Sequence, residues 1–247
     1  MGDSVKAVED SKAKVVDKER LSPGARAAFI GLVVLVNLPL IALALRGPAS
    51  TTASVGPAGF LDDFSRPDLG LNYWSSGADW RIVNGELLSP GAKNNPLWLR
   101  AALPDNVQVE FDARSESPEG DVKCEIFGDG YSHASGYLLI FGGWNNSITT
   151  VARLDEHGLA VPQTFPSPLP NNGRVRATER HDLRVEPGRM YHWIIRRQDQ
   201  TLTWQLDGQT IFTIIDPEPL HGSGHDRFAF STWDVDAFYD NLKITPL

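Results

Sequence analysis

The sequence predicts an all-β domain of antiparallel strands, closed as a two-sheet sandwich or a barrel and preceded by one transmembrane helix. Three observations predict it. Tyr191–Ile215 holds apolar-alternating runs broken by Gln198-Asp199-Gln200 and by Asp207-Gly208. About a dozen short strand-like runs, separated by turn residues, follow Gly59. An uncharged apolar stretch, residues 27–45, lies ahead of them all.

The chain has 247 residues and a net charge of −8. Residues 1–58 hold seven Lys/Arg and five Asp/Glu, which leaves 16 and 26 for residues 59–247. So acidic a domain disfavours nucleic acid or anionic lipid as a partner. The lone cysteine, Cys124, can form no intrachain disulfide. It alternates with Val122 and Ile126 and reads as a small buried hydrophobe.

Residues 1–26 form a charged tail with Lys6, Lys12, Lys14, Lys18, Arg20 and Arg26. As a helix, residues 27–45 rise about 28 Å, which fits a hydrocarbon core of about 30 Å. Only Arg46 follows closely, so the positive-inside rule puts the amino terminus in the cytoplasm and exports the remainder. A cleaved signal peptide ending near Ala42-Leu43-Ala44 is the competing reading. Residues 46–58, rich in Pro, Gly, Ser, Thr and Ala, read as a flexible linker, and residues 59–247 as the domain.

In that domain Phe60–Phe64 reads as the first strand. Asn84-Gly85 joins Asp79–Val83 to Glu86–Leu88, because a two-residue hairpin turn needs φ > 0 at both positions. Leu97–Ala101 follows. In Val107–Arg114, residues Val107, Val109, Phe111 and Ala113 face one way and Gln108, Glu110, Asp112 and Arg114 the other. Asp121–Phe127, Gly136–Phe141 and Ile148–Leu154 continue the series. Pro162–Gly173, with four prolines, reads as a surface loop, and Arg174–Val185 as one strand or a ragged edge. Leu202, Trp204 and Leu206 mark the buried face of the Thr201–Asp207 strand. Arg227–Thr232 and Phe238–Thr245 close the chain.

The pieces "DDFSRPDLGLNYW", "VNGELL", "VQVEFDAR", "SGYLLIF", "LTWQLDG" and "FYDNLKI", in this order, resemble concanavalin A-like (laminin-G-like) jelly rolls. The resemblance spans roughly Phe60 to Ile244. It selects the antiparallel jelly-roll sandwich over the barrel. That superfamily contains lectins, carbohydrate-binding modules and family-16-type glucanases, and one fold hosts many functions.

Family-16 glucanases carry E-x-D-x-E, or a bulged E-x-D-x-x-E, on one strand. Glu110 and Asp112 match the first two positions. Arg114 takes the next, and Glu116 comes one residue late. Six strand residues span about 20 Å, whereas a retaining pair needs carboxyls about 5–5.5 Å apart. Glu110 and Asp112 are therefore weak catalytic candidates beside the bland reading, a polar outer face with an Arg114–carboxylate pair. No catalytic residue is assigned.

Of the seven tryptophans, Trp80, Trp98, Trp193 and Trp204 read as core. Trp144 differs: it sits in Gly142-Gly143-Trp144-Asn145-Asn146-Ser147, between two strands. A loop indole beside amide donors and acceptors suits hydroxyl recognition. Trp144, Asn145 and Asn146 are the ligand-binding candidates, with Tyr131 and His133 from the preceding loop. Lys123 and Glu125 face the polar side of their strand and are expected near Glu110 and Asp112, lining a shared groove. Trp233, beside Asp234 and Asp236, is a further candidate. The six histidines show no metal signature.

The resemblance implies one more site. Family-16-type jelly rolls hold a structural Ca²⁺ where the chain ends meet, and Asp240, Asp63 and the backbone of Gly85 match its ligands. Calcium takes such mixed oxygen donors. The function these readings point to is an exported, membrane-anchored carbohydrate-binding domain with a polysaccharide as partner. A divergent glycoside hydrolase and a non-catalytic envelope interaction domain are the alternatives.

Overall fold

The computed structural model describes residues 22–25, 27–29, 32–33 and 54–247. The chain divides into two compact units, Met1–Ser50 and Thr51–Leu247. In the first, residues 23–25, 27–29 and 32–33 are helical. The charged tail and most of the 27–45 stretch lie outside the described residues. Among the described residues no helix is long and apolar enough to cross a membrane. The linker expected over 46–58 ends sooner than the composition suggests. Ser54 bridges Ala102, and Val55 is buried in the domain core.

The second unit is a two-layer β-sandwich. Among the described residues sixteen strands run from β1 to β16. They are β1 (Phe60–Asp62), β2 (Tyr73–Ser75), β3 (Arg81–Val83), β4 (Glu86–Pro90), β5 (Leu97–Leu99), β6 (Val107–Ser115), β7 (Val122–Gly128) and β8 (Tyr137–Gly142). After them come β9 (Ile148–Arg153), β10 (Leu159–Val161), β11 (Val175–Ala177), β12 (Tyr191–Gln198), β13 (Thr201–Leu206), β14 (Gln209–Ile215), β15 (Arg227–Ser231) and β16 (Asp236–Pro246). The first sheet has the order β14-β13-β12-β6-β16-β4-β3, with β1 also on β16. The second has the order β10-β11-β9-β8-β7-β15-β5-β2. Pairing is antiparallel except between β10 and β11, a parallel pair at the edge of the second sheet. That edge is where the expectation of wholly antiparallel sheets fails. The prolines of 162–170 carry the chain away before β11 returns alongside β10, so no hairpin joins them.

The hairpins close as their sequences demand. Asp207-Gly208 and Asn84-Gly85 both take positive φ, at 50° and 79° and at 55° and 84°. In the first sheet β6, β12 and β13 alternate cleanly, with β6 buried at every second residue. Its inward row, Val109, Phe111 and Ala113, meets Trp193 and Ile195 of β12 and Trp204 of β13. Phe111 stacks on Trp193 at 5.1 Å, Trp193 on Trp204 at 4.6 Å and Trp204 on Phe212 at 5.9 Å. Across the layer Phe230 of β15 meets Tyr239 of β16 at 4.4 Å. These rings fill the space between the sheets and dominate the apolar area removed from water. Cys124 lies in the same core, fully buried.

The second sheet behaves differently. All seven residues of β7 and all six of β8 are buried. Val122, Cys124 and Ile126 enter the core, so Lys123 and Glu125 are buried on the sheet's other side. A strand buried on both faces needs cover on both. Part of that cover is a loop, residues 129–136, and what it leaves open is the site.

Candidate functional site

A cleft of about 650 Å³ lies on the outer face of the second sheet. Lys123 and Ile140 form its floor, the Trp144 turn, Glu156 and His157 one side, and Asn94, Trp233 and Asp234 the other. Asp121, Glu119 and Val235 complete the lining, and Asn145 joins Trp144 in it. The elements that bring these residues together are the start of β7, the end of β8, the loop after β9, the loop before β5 and the loop after β15.

The Trp144 turn is a strained device. Trp144, Asn145 and Asn146 take φ of 49°, 56° and 57°, a left-handed run that side chains rarely adopt. Asn146 holds it. Its Nδ2 donates to the carbonyls of Pro118 (3.1 Å) and Val185 (2.7 Å), and its Oδ1 accepts the Val185 N–H at 2.8 Å. Asn146 is thus engaged in fixing the turn and does not line the cleft. A Cβ at Gly142 would stand 2.4 Å from Asn146 Oδ1, so only glycine fits before the turn. The turn projects Trp144 outward, edge-on to His157 with ring centres 5.7 Å apart. Trp144 stays 36% exposed and Trp233 52%.

Below the indoles lies a polar network. Lys123 Nζ, 3% exposed, donates to Asn94 Oδ1 at 2.8 Å. It also stands 3.4 Å from Asp121 Oδ2 and 3.7 Å from Glu156 Oε2. Asn94 Nδ2 donates to Glu156 Oε1 at 3.0 Å. Asp121 accepts the backbone N–H of Trp233, which ties the floor to the loop that carries the second indole. Burial raises the Asp121 carboxyl above its ordinary value against the pull of Lys123. Glu156 goes the other way. Burial alone would raise it, but His133, Lys123 and His157 hold it down at about 2. A buried lysine flanked by carboxylates and an amide keeps its charge compensated without water.

The remaining sequence candidates lie elsewhere. Tyr131, 47% exposed, stacks edge-on against Trp74 at 5.6 Å and is not in the cleft. Glu125 is fully buried beneath the 129–136 loop. It accepts the N–H groups of Ala134, Ser135 and Gly136 and the Ser135 hydroxyl. His133 stands between Glu125 and Glu156, behind the cleft.

Glu110 and Asp112 occupy the solvent face of the first sheet, so the shared groove expected with Lys123 and Glu125 does not exist. β6 and β7 belong to different sheets and meet only through the core. The alternation of each strand was legible, but the side of the sandwich it faced was not. Glu110 pairs with Lys243 at 3.0 Å. Asp112 accepts from Asn241 at 2.8 Å and meets His192 Nδ1 at 2.7 Å. Burial opposes it, yet bonds from Gln108 and Lys243 hold the Glu110 carboxyl below its ordinary value. Arg114 pairs with Glu86 and Glu116, the polar outer face of the bland reading.

Asp240, Asp63 and Gly85 fall in one neighbourhood. Asp240 lies on β16, whose Tyr239 pairs with Leu87 of β4, one residue past Glu86 and two past Gly85. Burial raises the Asp240 carboxyl, and the charges of Glu86, Asp112 and Asp63 raise it further. Among the described residues no three His, Cys, Asp or Glu side chains are grouped to hold a metal. A ligand set of one or two carboxylates with backbone oxygens remains compatible with this neighbourhood, and the crowded negative charge is what a hard dication relieves.

No protein-family model matches the chain, and no curated protein matches it in sequence. Solved structures do. The carbohydrate-binding module CBM66 from Bacillus subtilis aligns at 12% identity and TM-score 0.54, covering 70% of this chain and 95% of that one. A Bacillus licheniformis β-glucanase aligns at 12% and 0.53, covering 76% and 98%. A prokaryotic β-1,3-1,4-glucanase from a mouse hindgut metagenome aligns at 11% and 0.50, covering 76% and 99%. The fold is the concanavalin A-like jelly-roll sandwich.

Proposed function

We propose that this domain binds carbohydrate in the cleft between Trp144 and Trp233. One observation carries the reading. Two part-exposed indoles stand over a concave floor whose polar groups, Lys123, Asn94, Asp121 and Glu156, are already locked in place. Indole faces stack on the apolar faces of sugar rings, and fixed donors and acceptors orient hydroxyls. A site preorganised in this way loses little entropy on binding. That solved proteins of this fold include a carbohydrate-binding module and glucanases agrees with the reading.

The test is Trp144→Ala and Trp233→Ala, each titrated against a polysaccharide panel with tryptophan fluorescence and reducing-end release followed together. A buried aromatic anchor contributes about 2 kcal/mol, so each variant should weaken binding by roughly 30-fold. Unchanged affinity in both would sink this site. A hydrolytic role is the second reading, and one observation favours it. Asp121 and Glu156 flank one ammonium with their carboxyls pushed in opposite directions, the division of labour an acid/base pair needs. New reducing ends, lost in Glu156→Gln, would establish it. Glu110 and Asp112 have no part in either reading.

Residues 27–45 supply the membrane anchor in this proposal, with the amino terminus cytoplasmic and the sandwich exported. Protease added to intact cells should digest exposed loops of the sandwich and spare the tail; a wholly protected chain would overturn that placement. A structural Ca²⁺ held by Asp240, Asp63 and the Gly85 carbonyl completes it, with a stabilising role and no part in binding.

A further inference from the structure

The cleft is unevenly charged. Four carboxylates line it, Glu119, Asp121, Glu156 and Asp234, against one ammonium, Lys123. Lys123 is engaged in the floor: it is 3% exposed, stands by Asp121 and Glu156 and donates to Asn94. The other basic group of the lining, His157, faces Glu156 at 3.6 Å. Asp234 meets Lys93 at 3.9 Å, with both side chains more than half exposed. Water screens so open a pair, and it holds neither group firmly. The Glu119 side chain is exposed and has no ion-pair or hydrogen-bond partner among the described residues.

The backbone that carries Glu119 is nonetheless fixed. Just before it, the Pro118 carbonyl accepts from Asn146 of the Trp144 turn at 3.1 Å. Just after it, the Asp121 N–H donates to the Gly142 carbonyl at 2.9 Å, and the Asp121 carboxylate accepts the backbone N–H of Trp233. Gly120, between them, packs so closely on the turn that a Cβ would stand 2.7 Å from the Gly142 carbonyl oxygen. The unpaired carboxylate therefore sits on the one segment bonded both to the Trp144 turn and to the loop of Trp233.

We infer that the glycan this cleft takes carries a free amino group, as an unacetylated hexosamine unit does, and that Glu119 pairs with its ammonium. The inference rests on the carbohydrate reading above and deepens it. A neutral sugar makes no use of the surplus negative charge, and an acidic sugar meets repulsion. An ammonium gains twice: from a charge-assisted hydrogen bond to the carboxylate, and from attraction to the faces of the neighbouring indoles. Asp234, on the Trp233 loop, is the second carboxylate of the lining free to turn to it. Asp121 and Glu156 take no part, because Lys123 already lies between them.

The experiment titrates the full chain by calorimetry, at a pH where the amine is protonated. The ligands are glucosamine and galactosamine oligomers, their N-acetylated forms, and hydroxyl counterparts of the same linkage. The amine forms should bind about 10- to 100-fold more tightly than the others. Glu119→Gln should erase most of that preference and leave the weaker affinity for the acetylated forms unchanged. Glu110→Gln makes the same charge change on the opposite sheet and should alter nothing. Amine forms that bind no better than the acetylated or neutral ones overturn the inference and leave the carbohydrate reading standing. So does a preference that survives Glu119→Gln, or one that falls equally in Glu110→Gln, the mark of a polycation adsorbed on an acidic protein. No heat with these ligands or with the polysaccharide panel overturns both.

Discussion

Replacing Glu125 by Gln removes a fully buried carboxyl that pins the 129–136 loop over the second sheet. Burial pushes that carboxyl from an ordinary 4.5 up to about 7, against the opposing pull of His133 and of the loop's donors. A carboxyl raised on folding favours the protonated form in the native state. Its contribution to stability is therefore complete below pH 4.5 and is lost as pH rises towards 7. At 1.36 kcal/mol per pH unit, that interval is worth about 3 kcal/mol. The glutamine does not titrate. Its amide must point one N–H₂ at a donor of the loop, which costs about 1–3 kcal/mol at every pH. Urea unfolding of both proteins from pH 4 to 8 gives the difference curve, in which other titrating groups cancel. The wild-type advantage should be largest near pH 4.5, shrink through pH 6 and vanish or reverse by pH 8. A difference curve that is flat, or that grows with pH, would refute the account of Glu125.

Asp216→Ala should destabilise the fold by about 3–5 kcal/mol in urea, because it leaves Arg153 buried without its partner at 2.8 Å and Tyr137 without its acceptor at 2.6 Å. A loss under 1 kcal/mol would show that water reaches Arg153. Glu110→Gln should leave glycan binding unchanged, since it sits on the opposite sheet; a binding loss greater than tenfold would relocate the site. If Ca²⁺ sits beside Asp240, millimolar calcium should raise the melting temperature over EGTA and Asp240→Asn should abolish the difference. Identical melting curves would remove the ion.

Much of the architecture was legible because it is local. The Asp207-Gly208 and Asn84-Gly85 turns, the alternation of β6 and β13, and the buried Trp193 and Trp204 all declare themselves within a few residues. The Trp144 turn also stood out, as an indole among amides where a strand stops. The cleft did not. Asn94, Asp121, Glu156 and Trp233 come from four separated segments, and only the strand order places them around Lys123. One signal was present: β7 reads VKCEIFG, a strand apolar on one face with Lys123 and Glu125 on a second face that neighbouring apolar β8 leaves no room to solvate. That pattern marks a covered polar row and hence a loop over the sheet. Asn146 stands out in the sequence for its place beside the indole, but an asparagine that clasps a turn and one that meets a ligand look alike there.

The position of β16 bears on how this domain comes to exist in a cell. Its eleven residues pair with β6 along one side and with β4 and then β1 along the other. Until those residues have been synthesised, β6 and β4 each present an open edge in the middle of the first sheet, and β1 has no neighbour at all. Synthesis is slow, at about 5–20 residues per second, so the unfinished sheet persists for seconds with an aggregation-prone seam. β16 acts as a closing key: the domain folds as a unit only once these residues have emerged, and whatever accompanies it until then must shield that seam.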